Sequence, residues 1–208
     1  HAEKDKLAAS EFTLAAARQE QEVSGPIRIS ATIGIASVYM PDLIAKLSIK
    51  KPEIQIELIS NAEPQNLLKR EADIAIRTFM PTQENLFVRK IGDATFGAYA
   101  SKKYIERRGT LISIADLKDH DLIGEDYGTN TFRTHLQAVG LNLTDNSFRF
   151  RCDDYLVAWS LLVAGCGISL TLVDKGDAEP RVERILADYQ TSLPVWLSSH
   201  RELKTSLR

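Results

Sequence analysis

The sequence is short of the features that announce most activities. Cysteine occurs twice, at Cys152 and Cys166. Two cysteines match no metal spacing and do not make a disulfide scaffold, so ordinary buried thiols in a reducing compartment are expected. Basic residues are not in excess: 26 Lys and Arg stand against 28 Asp and Glu, a net charge of −2. That balance excludes a chain that grips nucleic acid by itself, because neutralising phosphates needs a basic face. The four histidines, His1, His120, His135 and His200, are scattered, and no His, Cys and carboxylate cluster has metal-ligand spacing. The G-x-S-x-G, H-E-x-x-H, P-loop and G-x-G-x-x-G motifs are all missing. Asp153 and Asp154 are adjacent, but neighbours on a strand face opposite ways, so they need not act together; Asp154 reads as a helix cap and Asp153 as solvated or pocket-lining. The expectation is no enzyme, no metal and no cofactor.

Long apolar runs are missing too, with one stretch to weigh. Tyr155 to Val173 carries no charged residue. Gly165-Cys166-Gly167 interrupts it, and Ser160 and Ser169 dilute it. A buried helix, a glycine turn and a buried strand explain it better than a membrane span. The chain opens HAEKDK, with no signal peptide, so a cytoplasmic protein without membrane contact is expected. Internal repeats and low-complexity segments are absent as well.

What is present is organised around Pro26 to Ser60. Ile27, Ile29 and Ala31 alternate with Arg28 and Ser30, the pattern of a strand. Met40, Leu43, Ile44 and Leu47 then fall on one face of a helix, in which Pro41 is expected to cause a bend or a lost hydrogen bond. Ile54, Ile56 and Leu58 alternate again, so strand, helix and strand predict a parallel βαβ unit. Its turn, Ser30 to Gly34, joins a strand's carboxyl end to a helix's amino end, the edge where open α/β sheets bind ligands. Thr32 there either caps the helix or touches a ligand.

The rest of the chain continues the βα series. Residues 1–24 are rich in Ala, Glu, Lys and Gln and read as a polar helix, a linker or the tail of a dimerising helix. Pro64 to Glu71 reads as a short helix and Asp73 to Arg77 as a buried strand. Leu86 to Ile91 and Thr95 to Ala100 read as two strands. Lys102 to Arg108 is a short helix ended by Gly109, and Ser113 with Asp116 marks another helix start. Leu122 to Gly124, Phe148 to Cys152 and Ile168 to Leu172 read as strands. Thr131 to Val139 and Leu156 to Ala164 read as helices, the latter ended by Gly165. Val182 to Leu186 and Val195 to Ser198 are the last strands.

Several segments, in order, resemble the effector-binding domain of LysR-type transcriptional regulators. They are SGPIRIS followed by MPDLIAKL and KKPEIQIEL, then EADIAIR, RRGTLISIADLKDHDLI and LVAGCGISL, with LPVWLSSHRELKTSLR as the return strand and following helix. The match runs from Gly25 to Arg208. The resemblance implies an α/β, two-lobed periplasmic-binding-protein-like fold of type 2 with two crossing strands. Residues 25–98 plus 199–208 would form lobe one, 99–198 lobe two, and 1–24 the end of the family's linker helix. A small effector would sit between the lobes. DNA would be bound only through the family's helix-turn-helix domain, which is missing here, and the chain would pair as a homodimer or homotetramer. A solute-binding protein of a transporter shares this fold and is the alternative.

The expected ligand-binding residues are Thr32, Gly34 and Ile35 at the first turn, Arg77 at the next strand end, and Tyr99 and Ser101 at the crossing. Thr129 in the second-lobe loop and Asp153, Cys166 and Gly167 opposite complete the set. The first-turn amides and the fork of Arg77 both favour negative charge, which predicts a small organic anion. The alternative pairs Arg77 with Asp153, with a neutral ligand or none.

Overall fold

A computed structural model of the chain describes residues 26–61, 72–82, 85–125, 131–138 and 140–200. The helices expected over residues 1–24 and 64–71 lie outside the described residues. Contacts divide the chain into two compact units, residues 1–94 with 193–208, and residues 95–192.

In the first unit the expected βαβ pattern forms. Strand β1 (Ile27–Ala31) is followed by helix α1 (Ile33–Val38), helix α2 (Met40–Lys50) and strand β2 (Ile56–Ser60). The two strands are parallel, in register from Ile27 opposite Ile56 to Ala31 opposite Ser60. Pro41 does not bend a helix. It starts one, because the chain breaks at Tyr39 and Pro41 falls in the first turn of α2, where a missing N–H costs nothing. Ile35, Ala36, Met40 and Leu47 are the buried residues of these two helices.

Strand β3 (Ile74–Arg77) lies on the other side of β1, also parallel, with Ile29 opposite Ile74 and Ala31 opposite Ile76. Arg28 ties all three strands. Its main-chain N–H donates to the Asp73 carboxylate (2.8 Å) and its carbonyl accepts from Asp73 N–H (2.8 Å). Its guanidinium forks onto Glu57 of β2 at 2.9 and 3.2 Å. The return segment of strand β8 (Val182–His200) pairs antiparallel with β3, Ile74 opposite Ser199 and Arg77 opposite Trp196. The strand order in this unit is β2-β1-β3-β8.

The second unit has the order β8-β4-β7-β5-β6. Strand β4 is Leu86–Ser101, and helix α3 (Lys102–Arg108) follows it directly. Strand β5 (Leu122–Glu125) is parallel to β6 (Phe148–Cys152) and to β7 (Ile168–Leu172), while β4 runs antiparallel to β7. Helix α4 (Thr131–Ala138) precedes β6. Helix α5 (Tyr155–Ala164) is capped by the Asp154 carboxylate, which accepts from Leu156 N–H (2.7 Å) and Val157 N–H (3.0 Å), and it ends at Gly165 in the left-handed region. Ser113 and Asp116 do form a capping box, but on a 3₁₀ turn, Ile114–Asp119. Ala98, Tyr104, Leu117, Leu122, Leu136, Phe148 and Ile168 make one apolar core. Tyr99, Ile123, Ala158 and Leu162 make another, with half-buried Cys152 and Cys166 against it, so the two thiols line the margin of a core rather than its centre.

Two expectations from local pattern fail for the same reason. Two short strands were expected at each of 86–100 and 182–198; each place holds one long strand instead. Polar interruptions at Gly92-Asp93 and at Asp188 to Ser192 look like turns, but strand pairing carries through them. Within β8 Leu186 is the one residue with a positive φ, 51°. Helix α6 (Val173–Ala178), whose sequence VDKGDA has no helical apolar face, was missed.

Gly176 in α6 explains why that helix sits where it does. A Cβ at this position would lie 2.3 Å from Cζ of Tyr99, a side chain with no exposed surface. Only glycine lets α6 close over the ring. Gly176→Ala is therefore expected to cost about 3 kcal/mol by overpacking. Urea unfolding followed by far-UV circular dichroism measures it, and an unchanged midpoint would refute the close approach.

Candidate functional site

The carboxyl ends of β1 and β3 carry the most unusual polar arrangement in the first unit. Residues two apart on a strand share a face, and so do register partners on neighbouring strands. Ser30 is opposite Ala75, Ala75 precedes Arg77 by two, and Arg77 is opposite Trp196. Ser30, Arg77 and Trp196 therefore share one face of the sheet.

Arg77 is 2% exposed and Ser30 is fully buried. The guanidinium donates through Nη2 to Ser30 Oγ at 2.6 Å and through Nη1 to the Ile76 carbonyl at 3.2 Å. Loss of water pushes Arg77 down to about 10, since burial disfavours the charged form. It still carries its charge at neutral pH. A cation held in this way gains more from an anionic partner than a surface arginine would.

Thr32 sits beside it. Its N–H donates to the same Ile76 carbonyl (3.2 Å) that receives Arg77 Nη1, and its own carbonyl receives Ala36 N–H at 2.8 Å. Thr32 occupies the N-cap position of α1, yet its hydroxyl makes no cap hydrogen bond. Oγ1 is covered and has no protein partner. The capping role expected as one reading of Thr32 is thus not what its side chain does. Gly34 and Ile35 follow in α1, Ile35 with 4% exposure.

The residues expected from the second unit have local employment. The Tyr99 hydroxyl donates to Asp177 Oδ1 (2.6 Å) and accepts from Arg184 Nε (3.0 Å), while Arg184 also pairs with Asp177. Burial, reinforced by Asp177, drives the phenol well above its ordinary value. Ser101 is the N-cap of α3, its Oγ accepting from Tyr104 N–H at 3.2 Å. Gly167 admits the Asp121 carbonyl, which would lie 2.3 Å from a Cβ there. Ile168 N–H donates to that same carbonyl at 2.9 Å. Asp153 is exposed, Cys166 is half-buried, and Thr129 lies outside the described residues. Two site residues were absent from the sequence expectation. Ser30 was visible as a polar residue on β1, two before Thr32. Trp196 had no local signal, because only strand register sets it opposite Arg77.

Comparison with known proteins places the chain in a class. The family model described as the LysR substrate binding domain matches residues 20–208. The chain belongs to that family, the ligand-sensing domains of LysR-type transcriptional regulators. The HTH-type transcriptional regulator CrgA of Neisseria meningitidis serogroup C is 30% identical over 192 residues, 90% of this chain. The chain spans only 62% of the length of that relative. The solved regulatory domain of CrgA superposes with a TM-score of 0.74 at 23% identity, covering 88% of this chain and 92% of that one. The full-length Vibrio cholerae virulence activator AphB superposes at 0.68 and 20% identity, covering 95% of this chain and 71% of AphB. The fold is the periplasmic-binding-protein-like fold expected, and these neighbours are regulators rather than transporter proteins. Among the described residues no helix is long and apolar enough to cross a membrane.

The Ser30 hydroxyl is what stabilises the buried charge from within β1. Ser30→Ala removes an acceptor from a cation and leaves a donor without its bond, a loss of about 2 kcal/mol. Equilibrium urea unfolding measures this, and a change below roughly 0.5 kcal/mol, the scatter of ordinary surface substitutions, would show that Ser30 does not support Arg77.

Proposed function

We propose that this chain is the effector-sensing part of a cytoplasmic, DNA-binding transcriptional regulator, and that its effector is a small organic anion bound at Arg77. The observation that carries the anion reading is the buried guanidinium, bonded to the Ser30 hydroxyl and the Ile76 carbonyl and pushed down to about 10 by burial. Thr32 Oγ1 supports it, as a covered hydroxyl with no protein partner next to that cation. A carboxylate meeting Arg77 would favour its charged form and accept from Thr32. Differential affinity for two conformations of the whole regulator then turns occupancy into a DNA-binding signal. The net charge of −2 fits a sensing domain that leaves phosphate contacts to another part of the protein. CrgA is named as an HTH-type regulator, which supports the same division of labour.

The test is a thermal-shift screen of small carboxylates on the wild type and on Arg77→Ala. An anion at about 100 times its dissociation constant stabilises the wild type by roughly 2.7 kcal/mol and leaves the variant unmoved. Bound anion favours charged Arg77 and so raises its pKa. Affinity is therefore flat below about 10 and falls as pH rises through that value. Neutral hits, or anionic hits that shift the variant equally, would overturn the anion reading.

The regulator's assembly is expected to use the edge strand β2 and helix α2. Leu43, Ile44, Ile56 and Leu58 are only half-buried there, and Ile49 is 83% exposed. Self-association to a homodimer or homotetramer would cover them. Sedimentation velocity of wild type against Ile56→Glu checks this. The wild type alone forms dimers at high concentration, and equal behaviour of the two would remove β2 from the interface.

A further inference from the structure

We propose that Arg107, Arg108 and Arg149 form a phosphate-binding site on the second unit, one that takes a small phosphorylated molecule. All of its residues belong to that unit, so it does not rest on the anion reading of Arg77.

Topology brings the three arginines together. Arg107 and Arg108 lie in the last turn of α3, Asp121 directly precedes β5, and Arg149 is the second residue of β6. Gly165 ends α5 and turns the chain toward β7. Leu122 pairs in parallel with both Phe148 and Ile168, which gathers these places at the amino ends of β5, β6 and β7. Open α/β sheets bind their usual ligands at the other, carboxyl end of the strands.

Each guanidinium is held in place by the protein. Arg107 Nη2 donates to the Gly165 carbonyl at 2.8 Å, and its guanidinium lies 5.4 Å from the Tyr104 ring centre. Arg108 Nη2 donates to the Asp119 carbonyl at 2.9 Å, and its Nε is 3.8 Å from Asp121 Oδ2. Arg149 Nη1 donates to Asp121 Oδ1 at 2.9 Å, and its guanidinium lies 5.5 Å from the Phe150 ring centre. Asp121 is fixed to the core in turn. Its N–H donates to Tyr104 Oη at 2.8 Å and its carbonyl accepts from Ile168 N–H at 2.9 Å. Forks already held in this way lose little freedom when an anion arrives.

Charge and exposure narrow the ligand. Among the described residues, Asp121 is the one carboxylate paired with any of the three arginines. The side chains of Arg149 and Arg108 are 66% and 44% exposed, against 14% for Asp121, so the cations face water and the anion does not. The Arg149 hydrogen bond, with Arg108 and Arg107 close by, keeps Asp121 below the ordinary carboxylate range. Three guanidiniums against one carboxylate leave a local cationic excess on a chain whose net charge is −2. A phosphate group, with a charge of about −2 at neutral pH, matches that excess. Its oxygens point in several directions and can meet several forks at once, whereas a flat carboxylate meets one bidentately.

The experiment is isothermal calorimetry of the whole chain at fixed ionic strength. Pyrophosphate is the probe, citrate the carboxylate control, and a short DNA duplex the polymeric phosphate. Pyrophosphate binds at one site per chain, about tenfold or more tightly than citrate, and the duplex does not displace it. Arg107→Gln and Arg149→Gln each weaken it about tenfold, the loss of one charge-assisted hydrogen bond. Lys90→Gln, which removes an exposed cation paired with Asp93, and Arg77→Ala leave it unchanged. In the unsubstituted chain, the Nε–H resonances of Arg107 and Arg149 move on adding pyrophosphate and not on adding citrate. The proposal is wrong if pyrophosphate does not bind, if citrate binds as tightly, or if the resonances stay still. It is equally wrong if Lys90→Gln weakens binding as much as Arg149→Gln, since the arginines then only attract counterions. Displacement by the duplex would assign the site to nucleic acid and overturn the small-molecule reading. Loss of binding in Arg77→Ala would place pyrophosphate at Arg77 and overturn it too. None of the failures at Arg107 and Arg149 touches the anion reading of Arg77, which the carboxylate screen tests by itself.

Discussion

A guanidinium stripped of nearly all its water constrains everything around it in the first unit. Burying a charge is among the most costly steps in folding, so each neighbour of Arg77 is set by what it offers that charge. Ser30 supplies an oxygen at 2.6 Å from the adjacent parallel strand. That contact requires β1 and β3 to be parallel and in the observed register, Ser30 opposite Ala75. A slip of one residue would turn Ser30 to the other face and take its oxygen away from the cation. The Ile76 carbonyl, shared by Arg77 and Thr32 N–H, draws the β1–α1 turn to the same point.

The second unit solves a similar problem in the opposite way. Tyr99 is as buried as Arg77, but its hydroxyl is spoken for by Asp177 and Arg184, and Gly176 lets α6 close over the ring. The network is satisfied internally, so it rigidifies the unit rather than inviting a partner. Lys175 adds to the same structure, its ammonium 4.9 Å from the Trp159 ring centre and 5.3 Å from that of Tyr155. The network at Tyr99 is closed within its own unit and holds the fold there. Tyr99, Ser101 and Gly167 each have a structural employment that sequence position alone does not reveal.

The element pattern was legible where side chains repeat with the period of their own element. β1, β2, β3 and β7 alternate or run apolar, and α2 and α5 carry caps or apolar faces that mark them. Legibility failed where stability comes from a neighbour. β4 and β8 continue through polar residues because strand pairing replaces the missing pattern. Helix α6 is held by burial of Gly176 against Tyr99, not by its own sequence. Pro41 shows a third kind of failure, since the same residue bends a helix from the middle and starts one from the first turn. Which applies depends on the break at Tyr39, one residue before α2 begins.

The amino-acid sequence by itself determined the class of fold, the parallel βαβ opening, the placement of Thr32 and Arg77 at strand carboxyl ends, and the resemblance to a ligand-sensing family. These follow from local periodicity and ordered motifs, which act over a few residues. Only the tertiary structure decided that Arg77 is buried, that Ser30 is its partner, that Thr32 does not cap its helix, and that Trp196 stands opposite. Those facts depend on register between strands 47 and 119 residues apart in the chain. Register is set by the packing of whole faces and leaves no mark in the residues beside any one of them.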